Sequence, residues 1–183
     1  MPYDPPPELA ELSLSQIAEQ VANRKLPPVE SWSPEQTGDS GMRIAADGTW
    51  FHDGSKVKRP AMVRAFASLL TRDDSGDYWL VMPFQKLSIE VADAPFIAVD
   101  AMQRVDDIAL RINTDELVLA GPDNRLIARG NRDTPAIYCD VRRGLEARLN
   151  RSTYEQLAEI ALAQGDDWTV TSQGERFSLL PDG

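Results

Sequence analysis

The chain of 183 residues carries 29 acidic against 19 basic side chains, and a formal net charge of −10 repels polyanions, which disfavours general DNA or RNA binding. A 42% hydrophobic content with 26% charged residues describes a packed globule of one large or two small domains, and no apolar run reaches the roughly 20 residues that a membrane helix needs. One cysteine, Cys139, excludes an internal disulfide and a multi-cysteine zinc site, and one histidine, His52, excludes paired-histidine metal sites.

Residues 1–9 show neither a basic leader nor an apolar core, so the expected location is the cytoplasm. Pro5-Pro6-Pro7 favours extended geometry, and Ser13-Leu-Ser-Gln16 opens a short helix with Leu14, Ile17, Ala18 and Val21 on one face. Pro27-Pro28 ends it, and residues 29–40 read as a linker anchored by Trp32, so that 1–40 form an N-terminal arm.

From Arg43 the pattern turns to strand. Asp47-Gly48 and Asp53-Gly54 bracket four strand-forming residues, the mark of a tight meander. Pro60 suits the first turn of a helix whose apolar face is Met62, Val63, Phe66, Leu69 and Leu70. After the Asp73-Asp-Ser-Gly76 turn, residues 78–82 and 87–91 read as strands, and Asp93-Ala-Pro-Phe96 interrupts the ladder before 97–100. These elements make an N-terminal lobe over 41–104.

A C-terminal lobe over 105–183 opens where Ile108, Leu110 and Ile112 alternate, followed by a strand at 117–120, a Gly121-Pro-Asp-Asn124 turn and a strand at 126–128. Residues 137–141 continue as a strand in which Cys139 is a small buried hydrophobe. Ser152-Thr-Tyr-Glu155 reads as a capping box before a helix faced by Tyr154, Leu157, Ala158, Ala161 and Leu162, and 168–171 with 176–180 close a hairpin around Gln173-Gly174. Helices set apart from meandering strands define an α+β class.

There is also an internal echo. Residues 59–70 and 77–90 are answered by 151–162 and 167–180, pairing Asp77 with Asp167, Tyr78 with Trp168, Lys86 with Arg176 and Ser88 with Ser178. It predicts two related lobes built from a duplicated helix-plus-antiparallel-strand unit, with a ligand at their seam.

Glycine-rich phosphate-loop, dinucleotide and nucleophile-elbow motifs are all missing. Asp73 to Asp77 has Phe84 where a calcium loop carries glutamate, so it reads as a solvated turn, and neither metal nor cofactor is expected. His52 is either a polar strand residue beside a turn or an acid–base group working with Asp53 or Asp93. Arg59, Lys86, Arg142, Arg143 and Arg151 stand near element ends, where they serve either ion pairs with Asp47, Asp93 or Glu146, or a ligand.

Trp32, Asp47-Gly48, Trp50-Phe-His-Asp-Gly54, Val57-Lys-Arg59, Tyr78-Trp-Leu-Val-Met-Pro83, Lys86, Val91-Ala-Asp-Ala-Pro-Phe96, Tyr138 and Val141-Arg-Arg-Gly-Leu-Glu-Ala147 together resemble the bacterial domain-of-unknown-function family 1285 over about residues 32–155. Met82 and Gln85 depart from the threonine and glutamate of that pattern. The resemblance implies two related lobes, the second loosely like a pleckstrin-homology barrel, a non-catalytic role, a nucleotide-like ligand at the lobe interface and a part in signalling. The expected ligand is a small anion held by Trp50, His52, Arg59, Lys86, Asp93, Tyr138, Arg142, Arg143 and Arg151. A signalling protein is a further expected partner; polymeric nucleic acid and membrane are not. A protein-interaction adaptor and a hydrolase-type enzyme using His52 are the alternatives.

Overall fold

In a computed structural model the described residues are 26–165 and 167–182; the expected helix over 14–21 lies outside them. The chain divides into two units, residues 26–95 with Arg143–Leu145 and Phe96–Arg142 with residues 146–182. The division falls ahead of the expected boundary at 104/105. The segment 97–100, expected in the first lobe, belongs to β7 (Phe96–Gln103), which pairs in parallel with β12 (Leu145–Leu149) and antiparallel with β8 (Ile108–Ile112) and so opens the second sheet.

The first unit carries a 3-10 turn at Val29–Ser31 and one six-stranded sheet in the order β3-β2-β1-β6-β5-β4, made of β1 (Gln36–Ile44), β2 (Trp50–His52), β3 (Ser55–Lys56), β4 (Leu70–Arg72), β5 (Tyr78–Val81) and β6 (Gln85–Val91). The meander follows from its turns. Asp53 and Gly54 both take positive φ, 48° and 84°, as a two-residue turn matched to strand twist requires. Helix α1 (Pro60–Ser68) has Pro60 in its first turn, where a missing N–H costs nothing, and turns Ala67 into the core and Phe66 onto Trp50, ring centroids 6.5 Å apart. Met62, expected on that face, is 42% exposed. Ile44, Trp50, Leu70, Leu80 and Ile89 complete this core. Met82 N–H donates to Gln85 O at 2.8 Å, so both departures from the family pattern sit at the mouth of the β5–β6 turn.

Strand β1 starts well before Arg43, inside what reads as a linker. Its first half, Gln36 to Ser40, pairs with β6 but shows no buried residue, so no alternating apolar signal betrays it.

The second unit repeats the strand succession. Its sheet runs β10-β11-β12-β7-β8-β9, with β9 (Leu117–Leu119), β10 (Leu126–Gly130) and β11 (Pro135–Arg142). In each sheet two three-stranded meanders are joined by parallel pairing of the first and last strands, β1 with β6 and β7 with β12. The duplication therefore lies in strand order, and the helix-plus-hairpin echo does not map onto it. Helix α1 lies between the third and fourth strands of its unit, whereas α2 (Arg151–Ala163) follows the sixth; β13 (Thr169–Ser172) and β14 (Glu175–Ser178) form a separate two-stranded sheet. An amphipathic helix followed by a hairpin is generic enough to match without common position.

The chain joins β9 to β10, the two edges of this sheet, through residues 120–125, which hold a tight turn (Gly121 N–H to Asn124 O, 3.0 Å). Five strand spacings of about 4.8 Å would put the edges of a flat sheet about 24 Å apart, beyond what a folded six-residue link spans, so the sheet curls. Asn124 Nδ2 prolongs the β10–β11 pairing by donating to Asp140 O and Val141 O at 2.9 and 3.0 Å. Ser172, fully buried, accepts from Ile108 N–H and donates to Ala120 O, both at 2.7 Å, and so pins the β13–β14 hairpin to the sheet. Ser172→Ala strands both backbone groups; a loss of about 1–3 kcal/mol in denaturant unfolding is expected.

Ile108, Ala109, Leu110 and Ile112 are all buried, so the expected alternation becomes a strand covered on both faces. Helix α2 is capped by Asn150, whose side chain accepts from Thr153 N–H at 2.9 Å, and not by the Ser152 box; Ser152 Oγ instead donates to Asn150 Oδ1. Leu157 and Ala161 of α2 are buried, while Leu162 is exposed. Burial pushes the Cys139 thiol up to about 12, and thiol reagents at pH 8 should label it only after unfolding, which mass spectrometry across a denaturant series reads directly. Among the described residues no helix is long and apolar enough to cross a membrane.

Candidate functional site

Register on the first sheet sorts two faces. Leu70 pairs with Leu80 and Leu80 with Leu87 on the core side; Thr71 pairs with Trp79 and Val81 with Lys86 on the other. That second face floors a groove of about 910 Å³, walled by Val29, Glu30, Trp32 and Pro34 from the N-terminal side, by the turn after β4, and by Arg143 and Gly144.

Trp79 is the centre of its chemistry. The Lys86 ammonium sits 4.3 Å from the indole centroid, and the indole N–H donates to Asp73 Oδ2 at 2.9 Å. Asp73 Oδ1 accepts the N–H groups of Ser75 and Asp77 at 3.0 and 2.9 Å. These donors, the Trp79 indole foremost, hold the Asp73 carboxyl below its ordinary range, so the turn orients the ring through a permanent anion. Arg72 lies over the Tyr78 ring at 5.2 Å. Among the described residues the wall carries three cations, Arg72, Lys86 and Arg143, and three carboxylates, Glu30, Asp73 and Asp74. Against a chain of net charge −10, this is a local relief of negative potential.

Of the nine residues expected to hold a ligand, Lys86 and Arg143 line this groove. Trp50 does not: it is buried against Phe66, and its face is closed to a ligand. His52 stands exposed at the Asp53-Gly54 turn, Nε2 3.5 Å from Asp53 Oδ2, and Arg59 is the exposed residue that precedes α1. Neither they nor the half-buried Asp93 appear among the groove's lining residues.

The second-unit candidates are held by their own neighbours. Tyr138 is buried beneath Arg129, whose guanidinium lies 4.5 Å over the ring and grips Glu146 with two bonds of 2.6 and 2.7 Å. Arg142 is buried in an ion pair with Glu116, and Arg151 is a solvent-facing partner of Glu155 one helical turn away. Glu116, Glu30 and Glu155 pair with Arg142, Arg143 and Arg151, and Glu146, one of the partners expected for these arginines, is gripped by Arg129. Sequence reasoning gave no site role to Trp79, Arg72 or Asp73. The available signal was Trp79 falling out of phase with the core residue Leu80, two residues after a turn rich in aspartate.

Residues 27–94 match the family model described as domain of unknown function DUF1285, N-terminal domain, and residues 95–179 match that of the DUF1285 C-terminal domain. The meeting point of the two matches lies beside the Pro95/Phe96 division of the fold. The crystal structure of a DUF1285 family protein from Silicibacter pomeroyi is similar at a TM-score of 0.77 and 34% identity, over 92% of this chain and 95% of that one. A second, from Shewanella baltica, is similar in fold at a TM-score of 0.53 and 24% identity, over 64% of this chain and 90% of that one. No curated protein matches the chain.

Proposed function

The chain belongs to the DUF1285 family, both domains of which it carries, and from that premise we propose a non-catalytic module that binds a small anionic, nucleotide-like molecule in the groove of its first unit and serves bacterial signalling. The observation that carries the reading is Lys86 poised over Trp79 in a groove whose roughly 910 Å³ falls within the range of small-molecule sites. A phosphate draws the ammonium toward itself, and the indole faces of Trp79 and Trp32 then offer a planar base its stacking surface. The second unit, a curled six-stranded sheet followed by a helix, supports the pleckstrin-like reading of a rigid scaffold.

Adenosine and guanosine mono-, di- and triphosphates, titrated against the full chain, test this. At one hundred times its dissociation constant a ligand stabilises the folded state by about 2.7 kcal/mol, a clear rise in melting temperature. Trp79→Ala and Lys86→Ala should each weaken binding about tenfold or more while leaving the fold intact. No shift at millimolar nucleotide, or variants that bind as well as the parent, would sink the reading.

A further inference from the structure

An enclosed charge of the groove is matched by a carboxylate that stands largely in water. Arg143 occupies the Arg143–Gly144 turn, and its side chain is only 9% exposed. Its Nη1 donates to Ser68 O at 2.7 Å and its Nη2 to Pro27 O at 2.8 Å, so two of its three nitrogens are fixed by main-chain carbonyls. The third, Nε, donates to Glu30 Oε1 at 2.6 Å, and the Glu30 side chain is 65% exposed on the three-residue 3-10 turn at the groove's wall.

We infer that Glu30 is a resident stand-in for the ligand's anion: a phosphate or carboxylate entering the groove replaces it on Arg143, and Glu30 thereby sets the groove's anion affinity. The inference rests on the groove being the ligand site. A guanidinium withdrawn from water is costly without a counter-ion, so Arg143 must always be matched by some anion. A carboxylate already in water gives up little by letting go. The exchange leaves both carbonyl bonds of Arg143 in place, so neither the turn nor the end of α1 has to move. It also explains how an acidic chain holds a cationic site without exposing it: the site's charge is covered until a stronger acceptor arrives.

Inorganic phosphate is the probe, titrated calorimetrically at constant ionic strength into the full-length parent, Glu30→Gln and Lys86→Ala. Glutamine keeps an acceptor for Arg143 Nε and removes the competing charge. Glu30→Gln should bind phosphate about tenfold tighter than the parent and should gain more in melting temperature from added phosphate. Equal affinity in parent and Glu30→Gln, with Lys86→Ala still weaker, overturns the exchange while the groove stands as the ligand site. A Glu30→Gln protein that is less stable and is not restored by phosphate likewise overturns it, making the contact a structural clamp. Phosphate binding by none of the three overturns the groove reading and this inference together.

Discussion

Arg142→Ala is expected to lower the stability of the second unit by about 3–5 kcal/mol, the cost of leaving one member of a buried ion pair behind. Arg142 Nη2 donates to Glu116 Oε1 at 2.6 Å and Nε to Oε2 at 3.2 Å, with the two side chains only 7% and 14% exposed. The guanidinium also covers the Phe96 ring at 5.2 Å, and Thr114 Oγ1 donates to Glu116 Oε1 at 3.2 Å. Alanine would therefore take both guanidinium bonds from the Glu116 carboxylate and uncover an aromatic ring in one step. Arg142→Lys should fall between, since an ammonium cannot match both carboxylate oxygens in one plane. The double replacement Arg142→Met with Glu116→Leu should recover much of the loss, because it removes both charges and keeps the volume. Denaturant melts of the four proteins, with hydrogen exchange across β8 and β11, check the order; an Arg142→Ala protein as stable as its parent would show that the pair contributes nothing.

Arg142 and Arg143 also mark where sequence stops informing. Side by side in the chain, they read as one basic cluster near a strand end. The fold sends them to different units and different partners: Arg142, at the end of β11, reaches Glu116 across 26 residues, and Arg143, turned by a positive φ, reaches Glu30 across 113. No local pattern encodes pairings at those separations, and the chain's surplus of carboxylates gives every arginine many nominal partners. What was legible rests on local chemistry. Asp47-Gly48 and Asp53-Gly54 fix two turns, Pro60 fixes the start of α1, and Gln173-Gly174, both with positive φ, fix the last hairpin. Strand β1 escaped because Gln36 to Ser40 bury nothing, and the β7 boundary escaped because a strand does not announce which sheet it will join. Two of the groove's three cations were legible too. Lys86 and Arg143 stood out as cations at element ends, while Trp79 became visible only once register placed it across the sheet from the core.

Trp50 and Trp79 make the sharpest contrast between structure and site, and replacing each should separate the two. Trp50→Ala removes the largest fully buried side chain of the first unit and its stack on Phe66, so a loss of about 3–5 kcal/mol is expected. Trp50→Phe should cost far less. The indole N–H of Trp50 meets no acceptor among the described residues, and deleting it relieves an unmet desolvation cost of about 1–3 kcal/mol that offsets part of the smaller ring's cavity. Trp79 is only half-buried and its N–H is already spent on the exposed Asp73 turn, so Trp79→Ala should change stability little. Because the sheet that Trp50 supports also floors the groove, Trp50→Ala should lose fold and ligand affinity together, whereas Trp79→Ala should lose affinity alone. Melting curves and nucleotide titrations on the three variants read both axes; a Trp79→Ala protein that unfolds like Trp50→Ala would make Trp79 a core residue and leave Trp32 as the groove's one aromatic platform.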